Sequence, residues 1–131
     1  MLLDVDHFKH YNDFHGHQAG DVCLIMIANV LKSSLLRPAD LPARYGGEEF
    51  AVILPDTGLQ GAKAVAERIR MSIAETSKCE LGTEVTVSLG IAEYDLGKSP
   101  STPESLIRRA DGALYSAKAA GRNRVMAATA E

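Results

Sequence analysis

The order in which strand-like and helix-like patterns follow one another is the feature that most constrains this fold. Two amphipathic helical patterns, at residues 21–36 and 59–75, are separated by short alternating or β-branched runs. These strand-like runs cover residues 2–6, 43–45, 48–54 and 84–92. The order is therefore βαββαβ, which predicts an α+β fold with a ferredoxin-like core, an antiparallel sheet with two helices packed on one face.

Further elements are predicted on either side of this pattern. Ser101-Thr102-Pro103-Glu104 is typical of a helix start, and we expect this extra helix to end at Gly121. A short last strand is predicted at residues 124–127, and a loop with Gly16 and Gly20 after the first strand. We expect residues 1–131 to form a single domain.

Composition excludes several classes of function. The chain is 46% hydrophobic with a net charge of −3, so it is neither disordered nor generally attracted to nucleic acid. A phosphate ligand would therefore have to be held by a few placed cations. Cys23 and Cys79 lack metal or redox spacing, which predicts two buried free thiols in a reducing cytoplasm.

Two pairs of acids stand out. Asp4 and Asp6 are two residues apart on a predicted strand, so their side chains share one face. Glu48 and Glu49 follow Gly46-Gly47, a pair typical of a two-residue hairpin turn because both positions tolerate positive φ. Clustered carboxylates suit Mg²⁺, and glycines let the backbone approach a triphosphate. The alternative is a plain hairpin whose acidic end is merely solvated.

Four histidines within eleven residues suggest a zinc hypothesis: His7, His10, His15 and His17. Their spacing matches no standard structural zinc site, and the neighbouring acids prefer harder ions. Zinc is therefore the less favoured alternative.

The run RYGGEEF at residues 44–50 resembles the signature of GGDEF-domain diguanylate cyclases, in its Glu-Glu form. Other blocks resemble the same family in order along nearly the whole chain, namely DVDHFK at 4–9, GHQAGD at 16–21, VSLGIA at 87–92 and ADGALY at 110–115. The resemblance implies a nucleotidyl-cyclase, palm-like form of the fold. It also implies an enzyme that joins two GTP molecules into cyclic di-GMP and pyrophosphate.

The resemblance also implies roles for the acids. Asp4, the carbonyl of Val5 and Glu48 match the ligands of Mg²⁺ (or Mn²⁺). Glu49 matches the catalytic acid that assists deprotonation of the attacking 3′-hydroxyl, and Lys9 joins it in the catalytic set as a cation facing the triphosphate.

Substrate contacts are implied in the same way. Asn12 and Asp21 match the pair that reads guanine, and His17 belongs to a block that lines the base or ribose pocket. Phe8 is expected either in the core or in the pocket wall, and the backbone at Gly46 and Gly47 approaches the triphosphate. Lys118 and Arg122 match further triphosphate cations, and being four apart they are predicted to share a helix face. Arg37 and Asp40 resemble the family's inhibitory R-x-x-D site for the product, with Arg68 as a further contributor.

Partners follow from this chemistry. One domain holds one GTP, so two domains must face each other as a homodimer, and no nucleic-acid partner is expected. We expect an upstream sensory domain in a longer protein, which could be attached to a membrane. The helix and D-x-L-T-G-L-x-N-R segment that usually precede the first strand are absent before Met1, so we expect lower stability and activity from these 131 residues alone. Two alternatives stay open: a non-catalytic receptor for GTP or cyclic di-GMP, and a plain interaction module.

Overall fold

A computed structural model describes residues 1–97 and 102–129 of the chain, and these form one five-stranded sheet with four helices. The strands are β1 (Leu2–Val5), β2 (Leu41–Arg44), β3 (Glu49–Ile53), β4 (Val87–Ile91) and β5 (Val125–Ala127). The helices are α1 (Phe8–His15), α2 (His17–Ser34), α3 (Leu59–Leu81) and α4 (Pro103–Ala119).

The sheet has the strand order β2-β3-β1-β4-β5, antiparallel throughout except for the parallel β4–β5 pair. The first four strands have the ferredoxin-like order, and α4 with β5 forms the C-terminal extension. The α+β prediction is confirmed.

Strand β1 is buried along its whole length because helices cover both of its faces. Leu3 and Val5 belong to the main core, which includes residues of α2 and α3. Leu2 points the other way and packs with Ala110 and Leu114 of α4. Since side chains alternate along a strand, Asp4 and Asp6 share the face of Leu2, toward α4.

Helix α4 lies against β4 more closely than a side chain would permit. A Cβ added to Gly90 would stand 2.2 Å from the carbonyl oxygen of Ala110 and 2.3 Å from the backbone nitrogen of Leu114. Both obstacles are backbone atoms, so a side chain could fit only if the helix moved. Glycine at position 90 is therefore a packing requirement.

The prediction of a loop after the first strand is wrong. Residues 8–15 form α1, and α2 begins at His17, well before the predicted residue 21. Gly16, with φ of 91°, separates the two helices, so it does break the helical path. Gly20 lies inside α2, where an added Cβ would stand 1.7 Å from Asn12 Oδ1. Gly20 is thus required by the packing of α2 against Asn12 of α1, and it does not mark a loop.

The Gly-Gly turn also differs from the prediction. Neither Gly46 nor Gly47 has φ in the left-handed range, so the pair does not form the expected two-residue turn. The connection is longer: the backbone nitrogens of Tyr45 and Gly46 donate to the carbonyl of Glu49 at 2.9 and 3.2 Å. The guanidinium of Arg44 donates to both glycine carbonyls and holds the loop open.

Helix α3 extends past residue 75 to Leu81 and ends at Gly82, whose φ is 72°. The additional turns carry Ser77, whose hydroxyl oxygen accepts from the backbone nitrogen of Val85 at 2.8 Å. This side-chain bond replaces a strand partner, so β4 begins at Val87 and not at residue 84.

Both ends of α4 match their sequence signals. Thr102 Oγ1 accepts from the backbone nitrogen of Ser105 at 3.1 Å as the N-terminal cap, while Ser101 lies outside the described residues. After the last helical residue, Gly121 has φ of 121° and the nitrogen of Arg122 donates to the carbonyl of Ala117. This is a Schellman arrangement with glycine in its usual place.

The thiol prediction holds for one cysteine. Both are free, but only Cys23 is buried, while Cys79 lies on an exposed face of α3 near its end. Among the helices in the described ranges, none combines the length and apolar character that crossing a membrane requires.

We predict that Gly90→Ala lowers the free energy of unfolding by about 2–4 kcal/mol, because the new methyl group collides with the backbone of α4. Urea denaturation followed by circular dichroism measures this change. The matched control is Gly112→Ala, on α4, where an added Cβ meets nothing within 4 Å. It should raise stability by about 0.5–1 kcal/mol through helix propensity. Equal effects of the two substitutions would contradict the packing argument.

Candidate active site

A carboxylate and an ammonium group meet at the end of the central strand. Asp4 is only 7% exposed and faces α4, and Lys118 of that helix donates to its Oδ2. Lys118 belongs to the last turn of α4, so the packing of the helix on β4 determines where its side chain reaches.

Strand pairing brings the second pair of acids beside Asp4. Glu49 opens β3 and stands opposite Asp4 in the β1–β3 register. The backbone nitrogen of Val5 donates to the carbonyl of Glu48 at 3.2 Å, so this pairing continues one residue into the loop. Asp4, Glu48 and Glu49 therefore meet at one end of the sheet.

Burial and mutual repulsion make these acids unfavourable without a cation. Burial raises the pKa of Asp4, and the nearby Glu48 and Asp6 act in the same direction, while the Lys118 contact opposes them. Burial also raises the pKa of Glu49, followed by the charge of Asp4. The cluster thus favours any arrangement that adds positive charge.

The donor set fits a hard divalent cation. Asp4 and Glu48 offer carboxylate oxygens beside the loop, and Mg²⁺ takes one or two such ligands with water and phosphate oxygens filling its shell. The ammonium group of Lys118 already stands against Asp4, which shows that this position attracts a cation. No group of three or more histidine, cysteine or acidic side chains in residues 1–97 and 102–129 is arranged to hold a metal, so the four histidines do not form a zinc site.

A buried acceptor lies on α1. Asn12 Oδ1 is buried and has no hydrogen-bond partner, which normally costs about 1–3 kcal/mol. Gly20 leaves the space that this side chain fills, and Phe8, which is 7% exposed, lies against the same glycine. Asn12 Oδ1 is therefore an acceptor whose donor is not supplied by the described part of the protein.

Other predicted pocket residues lie on α2. His17 and Asp21 are exposed, and Asp21 forms part of the wall of a groove between α2 and β2 with a volume of about 540 Å³. The groove has an apolar floor that includes Leu24 and Phe50. Asn12 and Asp21 are thus on neighbouring helices that pack together, with Oδ1 of the half-buried Asn12 lying against Gly20 of the second helix.

The predicted cations occupy different settings. Lys9 is exposed on the first turn of α1, and Lys118 is paired with Asp4. Arg122 does not continue α4: the helix ends at Ala119, and Arg122 has φ of 64° in the turn that follows. The predicted common helix face of Lys118 and Arg122 is therefore wrong, because the Schellman turn separates them.

The R-x-x-D pair is an ion pair between an exposed Arg37 side chain and an Asp40 side chain that is only 4% exposed. Arg37 Nη2 lies 2.6 Å from Asp40 Oδ1, and the same guanidinium also donates to the carbonyl of Pro55 and to Thr57 Oγ1. Arg68 donates to the carbonyl of Ser34, at the end of α2, at 2.6 Å. All three predicted residues are thus held by defined partners, and Arg68 is engaged in closing α2.

Two acids outside the predicted site interact with it. Asp111 raises the pKa of Glu49 through its charge. It is seven residues before Lys118, hence two turns away on one helix face, and this spacing is the signal that could have found it. Asp6 accepts hydrogen bonds from three donors, the hydroxyls of Thr86 and Ser88 and the backbone nitrogen of Asn123. The alternation along β1 indicated its face, but no sequence signal indicated its partners.

Comparison with known proteins shows the family of this chain. Residues 1–124 match the family model described as "Diguanylate cyclase, GGDEF domain". Diguanylate cyclase A of Treponema denticola is 46% identical over 127 residues, covering 95% of this chain and 33% of the relative. The chain spans about a third of the length of the curated relatives it matches.

Two solved structures are similar over almost the whole chain. One is the GGDEF domain of DgcB from Caulobacter crescentus in complex with c-di-GMP, with a TM-score of 0.85, 42% identity and coverage of 97% of this chain and 75% of that one. The other is the active GGEEF domain of a diguanylate cyclase from Vibrio cholerae, with a TM-score of 0.90, 33% identity and coverage of 99% and 81%.

We predict that Glu49→Gln stabilises the metal-free chain, with a melting temperature higher by about 1–3 °C at pH 7–8. Because the pKa of Glu49 is raised on folding, its contribution to stability is present at low pH and is lost as the pH rises through the folded pKa. The difference between variant and parent should therefore shrink as the solution is acidified. Thermal unfolding in a chelating buffer measures it, with Glu75→Gln on the exposed face of α3 as control. A lower melting temperature for Glu49→Gln would contradict the repulsion argument.

Proposed function

The chain belongs to the GGDEF domain family of diguanylate cyclases, and from this membership we propose that it condenses two GTP molecules into cyclic di-GMP, releasing two pyrophosphates. The 3′-oxygen of each GTP forms a bond to the α-phosphorus of the other, the bond to pyrophosphate breaks, and the hydroxyl proton passes to a base or to water.

The observation that carries this proposal is the meeting of three acids and one cation at the open end of the sheet. Asp4 and Glu49 face each other across β1 and β3, with Glu48 beside them and Lys118 on Asp4. Acids that repel one another at the end of a sheet, where burial raises their pKa values, are typical of a functional site. A solvated strand end would not keep Asp4 buried.

Divalent metal use accords with the family, and Asp4, the carbonyl of Val5 and Glu48 would hold Mg²⁺ or Mn²⁺ here. When bound, the metal polarises the α-phosphate and lowers the pKa of the attacking hydroxyl. Glu49 lies next to these ligands at the start of β3, and burial raises its pKa, which makes its carboxylate a stronger proton acceptor.

Recognition of guanine is proposed for Asn12 and Asp21. The buried, unpartnered Oδ1 of Asn12 would accept from the exocyclic amine, and the Asp21 carboxylate would accept from N1–H. Such a site discriminates against adenine, because adenine would leave the buried Oδ1 of Asn12 unpaired. His17 and Phe8 would line this pocket.

The triphosphate would lie over the Gly46-Gly47 loop. An added Cβ at Gly47 meets nothing within 4 Å, and one at Gly46 meets only Glu49 at ordinary contact distances, so packing does not require either glycine. Their lack of side chains leaves the loop backbone accessible to phosphate oxygens. Lys9, Lys118 and Arg122 would neutralise the phosphates and the leaving group.

Each domain would supply one GTP, so catalysis requires two copies facing each other, at least transiently. Because the chain covers about a third of its curated relatives, we further propose that the natural protein is longer and carries an upstream sensory domain.

We expect Glu49→Ala to reduce cyclic di-GMP formation by about 10²–10⁴-fold, because the variant removes the group that assists deprotonation. The assay incubates the protein with GTP and Mg²⁺ and quantifies cyclic di-GMP and pyrophosphate by chromatography. Glu75→Ala, which removes an exposed acid of α3, is the control and should retain the parent rate. Unchanged product formation by Glu49→Ala would remove this residue from the mechanism. Saturable GTP binding by the parent dimer without turnover would favour a receptor role instead.

Product inhibition is proposed at Arg37 and Asp40, with Arg68 as a further contact. The guanidinium of Arg37 is already oriented by Asp40 and Thr57, and a planar fork of this kind suits phosphate or guanine.

Arg37→Ala should raise the cyclic di-GMP concentration needed for half-inhibition by roughly tenfold or more, since it removes a charge-assisted contact. Initial rates at increasing product concentration, each normalised to the variant's own uninhibited rate, measure this effect. Arg108→Ala, an exposed arginine on α4, is the matched control. An unchanged half-inhibition value would place the inhibitory site elsewhere.

A further inference from the structure

Asp6 is buried and fully committed to hydrogen bonds within the protein. It is 8% exposed, and its Oδ1 accepts from Ser88 Oγ at 2.7 Å. Its Oδ2 accepts from Thr86 Oγ1 at 2.8 Å and from the backbone nitrogen of Asn123 at 2.9 Å. Both oxygens face donors, so the carboxylate is a satisfied anchor and not an open ligand.

The third of these donors belongs to an unusual turn. Gly121, Arg122 and Asn123 follow α4 with φ values of 121°, 64° and 45°. Positive φ in two successive non-glycine residues is uncommon and persists only where surrounding contacts hold it. Asp6 holds the backbone of Asn123, and Arg70 of α3 donates to the Asn123 side chain at 3.0 Å.

This turn connects the parts of the site that carry positive charge. Lys118 precedes it by one helical turn and Arg122 lies within it. Asp4 and Asp6, two residues apart on the same face of the chain, are therefore both joined to the end of α4. Lys118 joins the first of them by its side chain, and Asn123 joins the second by its backbone.

We propose that Asp6 is a positioning residue for triphosphate binding: it fixes the 121–123 turn, and through it the cations Lys118 and Arg122, relative to the metal-binding edge. The inference rests on the proposed function and adds a residue that holds the cations and binds neither metal nor nucleotide. Without Asp6 the strained turn would relax, and the position of Arg122 relative to Lys118 and the metal-binding edge would change.

The test is Asp6→Asn in a Glu49→Ala background, so that GTP is not consumed. The amide has one oxygen where the carboxylate has two, so an NH₂ group must face one of the donors. Calorimetry with Mg²⁺ compares GTP with GMP, which lacks the β- and γ-phosphates. We expect a roughly tenfold loss of GTP affinity, while GMP affinity stays within about twofold.

Ser88→Ala is the matched control, since it removes a hydrogen bond to the same carboxylate but leaves the oxygen that holds Asn123. It should leave the ratio of GTP to GMP affinity unchanged. Mn²⁺ binding without nucleotide, followed by electron paramagnetic resonance, should be unaffected by Asp6→Asn.

Three results would overturn the proposal: unchanged GTP affinity in Asp6→Asn, equal losses for GTP and GMP, or loss of Mn²⁺ binding, which would make Asp6 a metal ligand. If Asp6→Asn does not fold, Arg70→Ala frees the same turn from the α3 side and should lower GTP affinity selectively by roughly two- to threefold. An unchanged GTP to GMP ratio in that variant would count against the proposal. Failure of the Glu49→Ala parent itself to bind GTP would instead contradict the proposed function.

Discussion

The structure of this domain depends on placing a buried carboxylate at the end of its central strand. Strand β1 has neighbours on both sides and helices on both faces, so Asp4 lies in a poorly solvated position. An ionised acid is costly there unless positive charge is near. Lys118 supplies that charge, and it can do so only because α4 lies directly on β4 at Gly90. The position of the α4 backbone thus determines whether Lys118 can neutralise Asp4.

Much of the fold could be predicted because it rests on periodicity. The strand order, the two long helices and the cap of α4 all follow from local patterns and turn residues. The prediction failed at residues 7–20, because α1 is a single short helix and Gly20 resembles a loop residue. Its true role, making room for Asn12, depends on a contact between two helices that no local pattern contains. The Gly46-Gly47 turn was misjudged for a related reason, since Arg44 holds the glycine carbonyls from outside the pair.

The site was predictable only in part. That Asp4 and Glu49 meet follows from the strand order, because a central first strand must pair with the hairpin. The Lys118–Asp4 contact joins residues far apart in the sequence and depends on which face of the sheet α4 covers. The sequence shows that the side chains of Leu2 and Leu3 point to opposite faces of the sheet, but not which face is covered by α4 and which by α2 and α3. Long-range partners of this kind need the packed structure.

Asp4 in β1 and Asp6 just after it differ in whether their hydrogen-bond partners can leave. Lys118 keeps a 34% exposed side chain, so water can solvate its ammonium group when another cation takes its place on Asp4. Exchange of this ammonium group for another cation is therefore inexpensive, and in the proposed reaction it would free Lys118 to follow the phosphates. Asp6 accepts from two hydroxyls and one backbone nitrogen, and these belong to β4, the residue preceding it and the 121–123 turn. They cannot leave without disrupting the strand or the turn. At the end of β1, Asp4 thus holds a cation that can be exchanged, and Asp6 anchors the turn permanently. Their spacing of two residues places both side chains on the face where α4 ends.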